Sequence, residues 1–234
     1  MDRRKEIGSR SHGVREARRR HLPSHWQFFQ DWADMVIWVR LSPAAAALIT
    51  ELFLDCRNGD YDPIPISIAE AMEKTRASRD VAIAALKELV RYGWLDKRQD
   101  GTLKGPVAHR VSIYQLIPPP HERQKHFPLL RQWRSIPAWQ HLSNEGRKLF
   151  ITMKAKHPYR AINRFPVDSR MVEALLGCRN RKAKSVVAEL VEKGFLRRAG
   201  SLHGQKAFSF TDMPQEGEKA AANSFKEWKP EIAA

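Results

Sequence analysis

The stretch Ala85-Leu86-Lys87-Glu88-Leu89-Val90-Arg91-Tyr92-Gly93-Trp94-Leu95 decides the reading of this chain, because it returns 101 residues later. There it reads Val186-Val187-Ala188-Glu189-Leu190-Val191-Glu192-Lys193-Gly194-Phe195-Leu196. Ala82, Ala85, Leu86, Leu89 and Val90 recur as Ala183, Val186, Val187, Leu190 and Val191, a stripe of helical period. Gly93 and Gly194 stand where a helix C-cap is expected, and an aromatic-Leu pair then begins a hairpin-like stretch. Working outward at the same offset, His25, Trp32, Trp38, Leu41, Ser42, Leu48 and Pro65 fall on His126, Trp133, Trp139, Leu142, Ser143, Leu149 and Pro166. Thirteen identities lie in the 74 positions from 25 to 98. The spacing is too long for a solenoid, so it marks a duplicated unit.

A chain of 234 residues holds two such units. At 42% hydrophobic residues it can build two small cores. The two cysteines, Cys56 and Cys178, exclude a disulfide framework and a four-cysteine zinc site. No apolar run is long enough for a membrane span and the N-terminus is charged, so a cytoplasmic protein is expected, with no membrane partner and no cofactor. The net charge of +15 points to a polyanionic partner. Residues 1–21 carry 8 basic and 3 acidic side chains, 22–121 carry 11 and 12, 122–211 carry 19 and 6, and 212–234 carry 3 and 5. The second copy and the N-terminal arm are therefore the expected polyanion surface.

Within each copy the elements recur in one order. Ser42 (followed by Pro43) or Ser143 caps a first helix, whose inward face is expected at Ala46, Ile49, Leu52 and Phe53 in the first copy. Ser67 or Asp168 caps a short second helix. Met72 and Leu175-Leu176 fall out of phase there, so a small compensating shift is expected. The third helix and a hairpin follow, the second hairpin running from Leu196 through Arg197, Arg198 and Ser201 and returning through Phe208 and Phe210. The paired tryptophans repeat at core-compatible spacing and read as packing residues more readily than as base-stacking platforms.

This order of helix, helix, turn, helix and hairpin, with the phrase at 85–95 and 186–196, resembles the bacterial winged-helix family over roughly 40–217. The resemblance implies a mainly α fold with small β-hairpin wings (α+β) and two tandem winged-helix domains, at 22–117 and 127–214. A basic arm over 1–21, a Pro-rich linker over 118–126 and a flexible tail over 215–234 complete the organisation. In such proteins the third helix enters the major groove of DNA and the wing touches backbone or minor groove. With the apolar stripe inward, the second copy presents Asn180, Arg181, Lys184 and Ser185, with Arg179 and Lys182 beside them. Arg forks onto guanine and Asn onto adenine, while Lys and Ser hold phosphates. Its wing offers Arg197, Arg198, His203 and Lys206. The first copy offers Arg79, Lys87, Lys97, Arg98, Lys104 and Arg110, but also Asp80, Ile83 and Ala84. Its role stays open between reading bases, pairing with a second chain and recruiting a partner. Arg18, Arg19 and Arg20 of the arm are candidates for a minor-groove or phosphate contact.

No phosphate loop, metal triad or nucleophile–base spacing stands out, so an enzyme is not expected, and no small-molecule ligand is evident. Asp55, Asp60 and Asp62 cluster in a loop and read as solvated polarity. The expected function is sequence-specific binding of double-stranded DNA by a nucleoid-associated transcription regulator. The alternative is a replication initiator, similar in architecture to the iteron-binding plasmid initiators. A third reading, resembling the tandem winged-helix subunits of condensin-like complexes, is disfavoured by the cations of the second copy.

Overall fold

The frame is set by two helices that are buried along all but their ends. In a computed structural model describing residues 25–56, 62–101, 111–120, 125–157, 163–213 and 221–230, the helix Pro43–Asp55 is buried at every position from Ala44 to Leu54. Its counterpart Asn144–Lys156 is buried from Gly146 to Ala155. Ser42 and Ser143 start them as the sequence implies, each hydroxyl accepting from the backbone N–H three residues on, at 3.2 and 3.0 Å. Glu88 and Glu189 hold the same caps from the third helices. Each carboxylate accepts from the serine N–H (2.7 and 2.8 Å) and from its hydroxyl (2.6 and 2.5 Å).

The first repeat runs β1 (His25–Phe29), α1 (Gln30–Asp34), α2 (Val36–Val39), α3 (Pro43–Asp55), β2 (Ile64–Ser67), α4 (Ile68–Thr75), α5 (Arg79–Arg91), β3 (Leu95–Gln99) and β4 (Val111–Leu116). The second runs β5 (His126–Leu130), a 3-10 turn (Arg131–Ser135), α6 (Pro137–Gln140), α7 (Asn144–Lys156), β6 (Phe165–Pro166), α8 (Ser169–Leu176), α9 (Asn180–Glu192), β7 (Leu196–Leu202) and β8 (Gln205–Phe210). The three long helices of the first repeat all return at an offset of 101. No shift is needed in the second helices, contrary to the expectation from Met72 and Leu175. Position 74 is a lysine whose side chain is buried against Asp55, at 2.5 Å, where the other copy has Leu175. An ion pair has replaced an apolar contact without moving the register.

Each repeat carries a three-stranded antiparallel sheet, ordered β2-β4-β3 and β6-β8-β7. The protein is thus mixed α and β with small antiparallel sheets. The second hairpin, over 196–210, is shorter than the first, over 95–116, as the sequence implies. A two-residue turn at His203-Gly204, with φ of 49° and 75°, joins β7 to β8, and an irregularity lies between Arg198 and Ser201.

The repeats face one another about a local twofold axis. β1 pairs antiparallel with β5, and the central pair, Gln27 with Pro128, joins equivalent positions. α3 packs directly on α7. Trp38 Nε1 donates to Thr152 Oγ1 at 2.9 Å, and Trp139 Nε1 donates to Glu51 Oε1 at 2.8 Å. Residues 51 and 152 are themselves equivalent, so the two bonds are one contact made twice. The core is continuous through both repeats, and Trp32, Trp38, Trp133 and Trp139 all lie within it. The expected single inward face of α3 is therefore corrected: the helix is clasped between its own repeat and the other one, so every face is inward.

Part of the C-terminal tail is docked where a flexible segment was expected. Phe225 stacks on Phe195 at 5.2 Å, and the backbone of Ser224 and Phe225 passes so close to Gly194 that a Cβ there would meet it at 2.7 Å. Gly194, at φ +75°, is thus required both by its conformation and by the tail. Gly93 shares the conformation but faces open space.

Candidate functional site

The third helix of the second repeat, α9, buries Ala183, Val186 and Leu190 and turns the opposite face to solvent. Arg179, Arg181, Lys184 and Ser185 are exposed there. Neither Arg181 nor Lys184 has a carboxylate within 4.0 Å among the described residues. Among the described residues no side chain caps the first turn of α9, so its N-terminal amides lie open at the same end as the arginines. Across from this face stands the β7–β8 hairpin with Arg198 and Lys206 exposed. Between helix and hairpin lies a groove of about 710 Å³ whose lining includes Asp168, Ser169, Lys184, Arg198, Gln205 and Lys206.

Three expected contacts are placed differently. The Asn180 amide nitrogen donates to Glu173 Oε1 at 2.6 Å and to Ser169 Oγ at 3.2 Å, which ties the residue to the preceding helix. Pairing with adenine would require breaking both bonds. Lys182 reaches Glu145 at the start of α7, at 3.2 Å, away from the free face. Arg197 is half-buried and its Nε donates to Ser209 Oγ at 3.3 Å, whereas Arg198 alternates outward. His203 is exposed at the hairpin turn. Arg164 and Arg170 are among the exposed arginines that sequence reasoning missed. Arg170 lies on α8, and Arg164 donates from Nη2 to the Ser201 carbonyl at 2.7 Å, beside the hairpin. Their equivalents, Ala69 and Pro63, offered no signal.

The first repeat presents a different face on the same frame. Arg79, Asp80, Val81, Ala84 and Lys87 of α5 are exposed and Ile83 is half-buried. Its hairpin cations are engaged locally, Lys97 by Asp100 and Arg98 by Asp96 (3.1 Å) and Gln115 (2.8 Å). Lys104, Arg110, Arg18, Arg19 and Arg20 lie outside the described residues, as does Asp60.

Part of the second repeat's positive charge is turned inward, with Arg147, Lys148, Lys154 and Lys193 buried. Arg147 donates to the Lys74 carbonyl at 2.8 Å and pairs with Glu51 at 3.3 Å. Arg134 bridges Glu51 and Asp55, and Lys154 pairs with Asp212 at 2.7 Å. Lys148 Nζ donates to the carbonyls of Val39, Leu41 and Leu175 at 2.7–2.9 Å. Burial lowers its pKa to about 8, with the Glu88 charge opposing the shift. Burial likewise lowers Arg147 and Lys154, each partly offset by its carboxylate partner. Arg134, Arg147 and Lys148 reach partners in the first repeat, whereas Lys154 is held within the second by Asp212. Cys178, in the turn before α9, has its thiol pKa raised by burial and by the Glu173 and Glu145 carboxylates, which disfavours the thiolate.

Among the described residues no group of three or more His, Cys, Asp or Glu side chains could hold a metal, and no helix is long and apolar enough to cross a membrane. Comparison with protein-family models, with curated proteins and with solved structures finds no match for this chain.

Proposed function

We propose that this protein binds double-stranded DNA as two winged helices fused into one internal pseudo-dimer, with α9 of the second repeat as its principal reader. The element order and the sheet order β2-β4-β3 support the winged-helix reading. The observation that carries the function is the set of exposed cations, Arg181 and Lys184 on the free face of α9 with Arg198 and Lys206 across the groove. Arg181 reads a base edge or holds a phosphate at the helix N-terminus, Lys184 neutralises the backbone one turn further on, and the hairpin cations clamp the flanking strand. Regulation of transcription at a nucleoid site is the leading role.

The internal twofold also supports a second reading. One chain carries both halves of a dimer-like unit, so single chains can occupy successive repeats of an array, as replication initiation requires. Affinity for duplex DNA measured against salt tests the function itself. Arg181→Ala with Lys184→Ala is expected to flatten the dependence by about one unit of slope for each phosphate that is no longer neutralised. Unchanged affinity and slope would remove α9 as the reader. Footprinting then separates the roles: a lone inverted site near a promoter supports a regulator, and an array of direct repeats supports an initiator.

A further inference from the structure

The groove between third helix and hairpin exists in both repeats and is largely apolar in both, with Val167, Val187, Val191 and Phe208 in the second. The second also has Asp168 and Glu192 in its lining, whereas the first has no carboxylate among the described residues. The first measures about 900 Å³ and is walled by Ile68, Met72, Ile83, Leu86, Val90 and Tyr114. At positions 169, 173 and 184, equivalent to Ile68, Met72 and Ile83, the second repeat has Ser169, Glu173 and Lys184. Val90 of α5, in the groove lining, is 37% exposed, which leaves an apolar edge there with no cover among the described residues. The rim is cationic. Arg79, Lys87 and Lys97 line the groove and no carboxylate does, and Lys97 alone of the three has an acidic partner within reach among the described residues, Asp100.

We propose that this groove docks an acidic amphipathic segment of a partner protein, which inserts apolar side chains between α5 and the hairpin and sets its carboxylates against Arg79 and Lys87. DNA is disfavoured here because desolvating isoleucine and valine side chains gains nothing from a phosphate backbone. A second copy of the chain is disfavoured because a self-complementary contact through this face would oppose its own cations. An acidic, apolar-faced segment satisfies both the lining and the rim. The inference does not depend on α9 reading DNA.

The test uses the full-length protein and two labelled helical peptides of about 14 residues, both with leucines at positions i, i+3, i+4 and i+7. One carries glutamates on its flanks and the other lysines, and binding is read by fluorescence anisotropy. The glutamate peptide is expected to bind and the lysine peptide to bind at least about tenfold more weakly. Ile83→Glu is expected to weaken the glutamate peptide about tenfold. Ile83 is half-buried, so a second variant, Lys87→Glu at an exposed position, guards against a folding defect. It is expected to weaken the glutamate peptide and strengthen the lysine peptide. Arg181→Ala with Lys184→Ala is expected to leave both peptides unaffected, whatever it does to DNA binding. Equal binding of the two peptides would overturn the proposal, as would indifference to both groove variants. Loss of DNA affinity in Lys87→Glu would make the groove a DNA surface, and a dimer dissolved by Ile83→Glu would make the occupant a second copy; either result overturns it too.

Discussion

The two repeats share their helices, caps and sheet order, yet they have divided the outer surface between them. On α9 the positions that face away from the core are Arg181, Lys184 and Ser185; on α5 they are Asp80, Ile83 and Ala84. The inner positions of the same helices scarcely differ, Ala82, Leu89 and Glu88 recurring as Ala183, Leu190 and Glu189. Packing tolerates little change at close-packed density, whereas an exposed position is free to acquire a new partner. A duplicated frame therefore reveals function where its copies disagree.

The largest expected effect lies at the axis between them. Glu51→Ala leaves Arg147 buried without its carboxylate and Trp139 Nε1 without an acceptor, so it should cost about 3–5 kcal/mol in urea unfolding. At the mirror position Thr152→Val unpairs only Trp38 Nε1 and should cost about 1–3 kcal/mol. Equal losses would show that the interface charge carries no special weight.

Next is the DNA-facing comparison. Arg79→Ala with Lys87→Ala in the first repeat should leave the salt slope of DNA binding within about half a unit of the parent, whereas the second-repeat pair should reduce it by about two units. A matching reduction in both would make the copies equal readers.

The third prediction concerns pH. Lys148 stands where the first repeat has Ala47, and its pKa falls from 10.5 to about 8 on folding. Between those values the unfolded chain holds the proton and the folded one has released it, so this group's contribution to stability rises with pH across that window. The penalty of charging it in place is fully present below pH 8. Comparing Lys148→Met with the parent isolates the effect: the parent's curve should rise relative to the variant's between pH 8 and 10.5. A difference independent of pH would mean that Lys148 titrates normally.

The smallest effect is expected at Trp94, whose equivalent is Phe195. Trp94 Nε1 is buried with no hydrogen-bond partner among the described residues, so Trp94→Phe trades a smaller ring volume against relief of that donor and should change stability by only about 1 kcal/mol. A much larger loss would mean that the indole fills space that Phe195 does not need to fill.

Local signals carried well from residue to structure. The stripe at 82–90, the Ser42 and Ser143 caps and the glycines at 93 and 194 each act within one turn of chain, and each element stands at its expected place. Arg181 and Lys184 were legible as outward residues because helical period assigns a face once the core stripe is known. Asn180, Lys182 and Arg197 were misplaced because their partners, Glu173, Glu145 and Ser209, are brought to them by folding rather than by adjacency along a helix or strand.

By itself the sequence determined the duplication, the order of elements and the outward chemistry of each third helix, since these follow from periodicity and from short-range capping. Only the tertiary structure decided that the repeats clasp each other through α3 and α7. It alone showed that Arg147 and Lys148 belong to that clasp rather than to a polyanion surface. A charge counted along the chain has no direction, and burial against a partner far away in sequence is what gives it one.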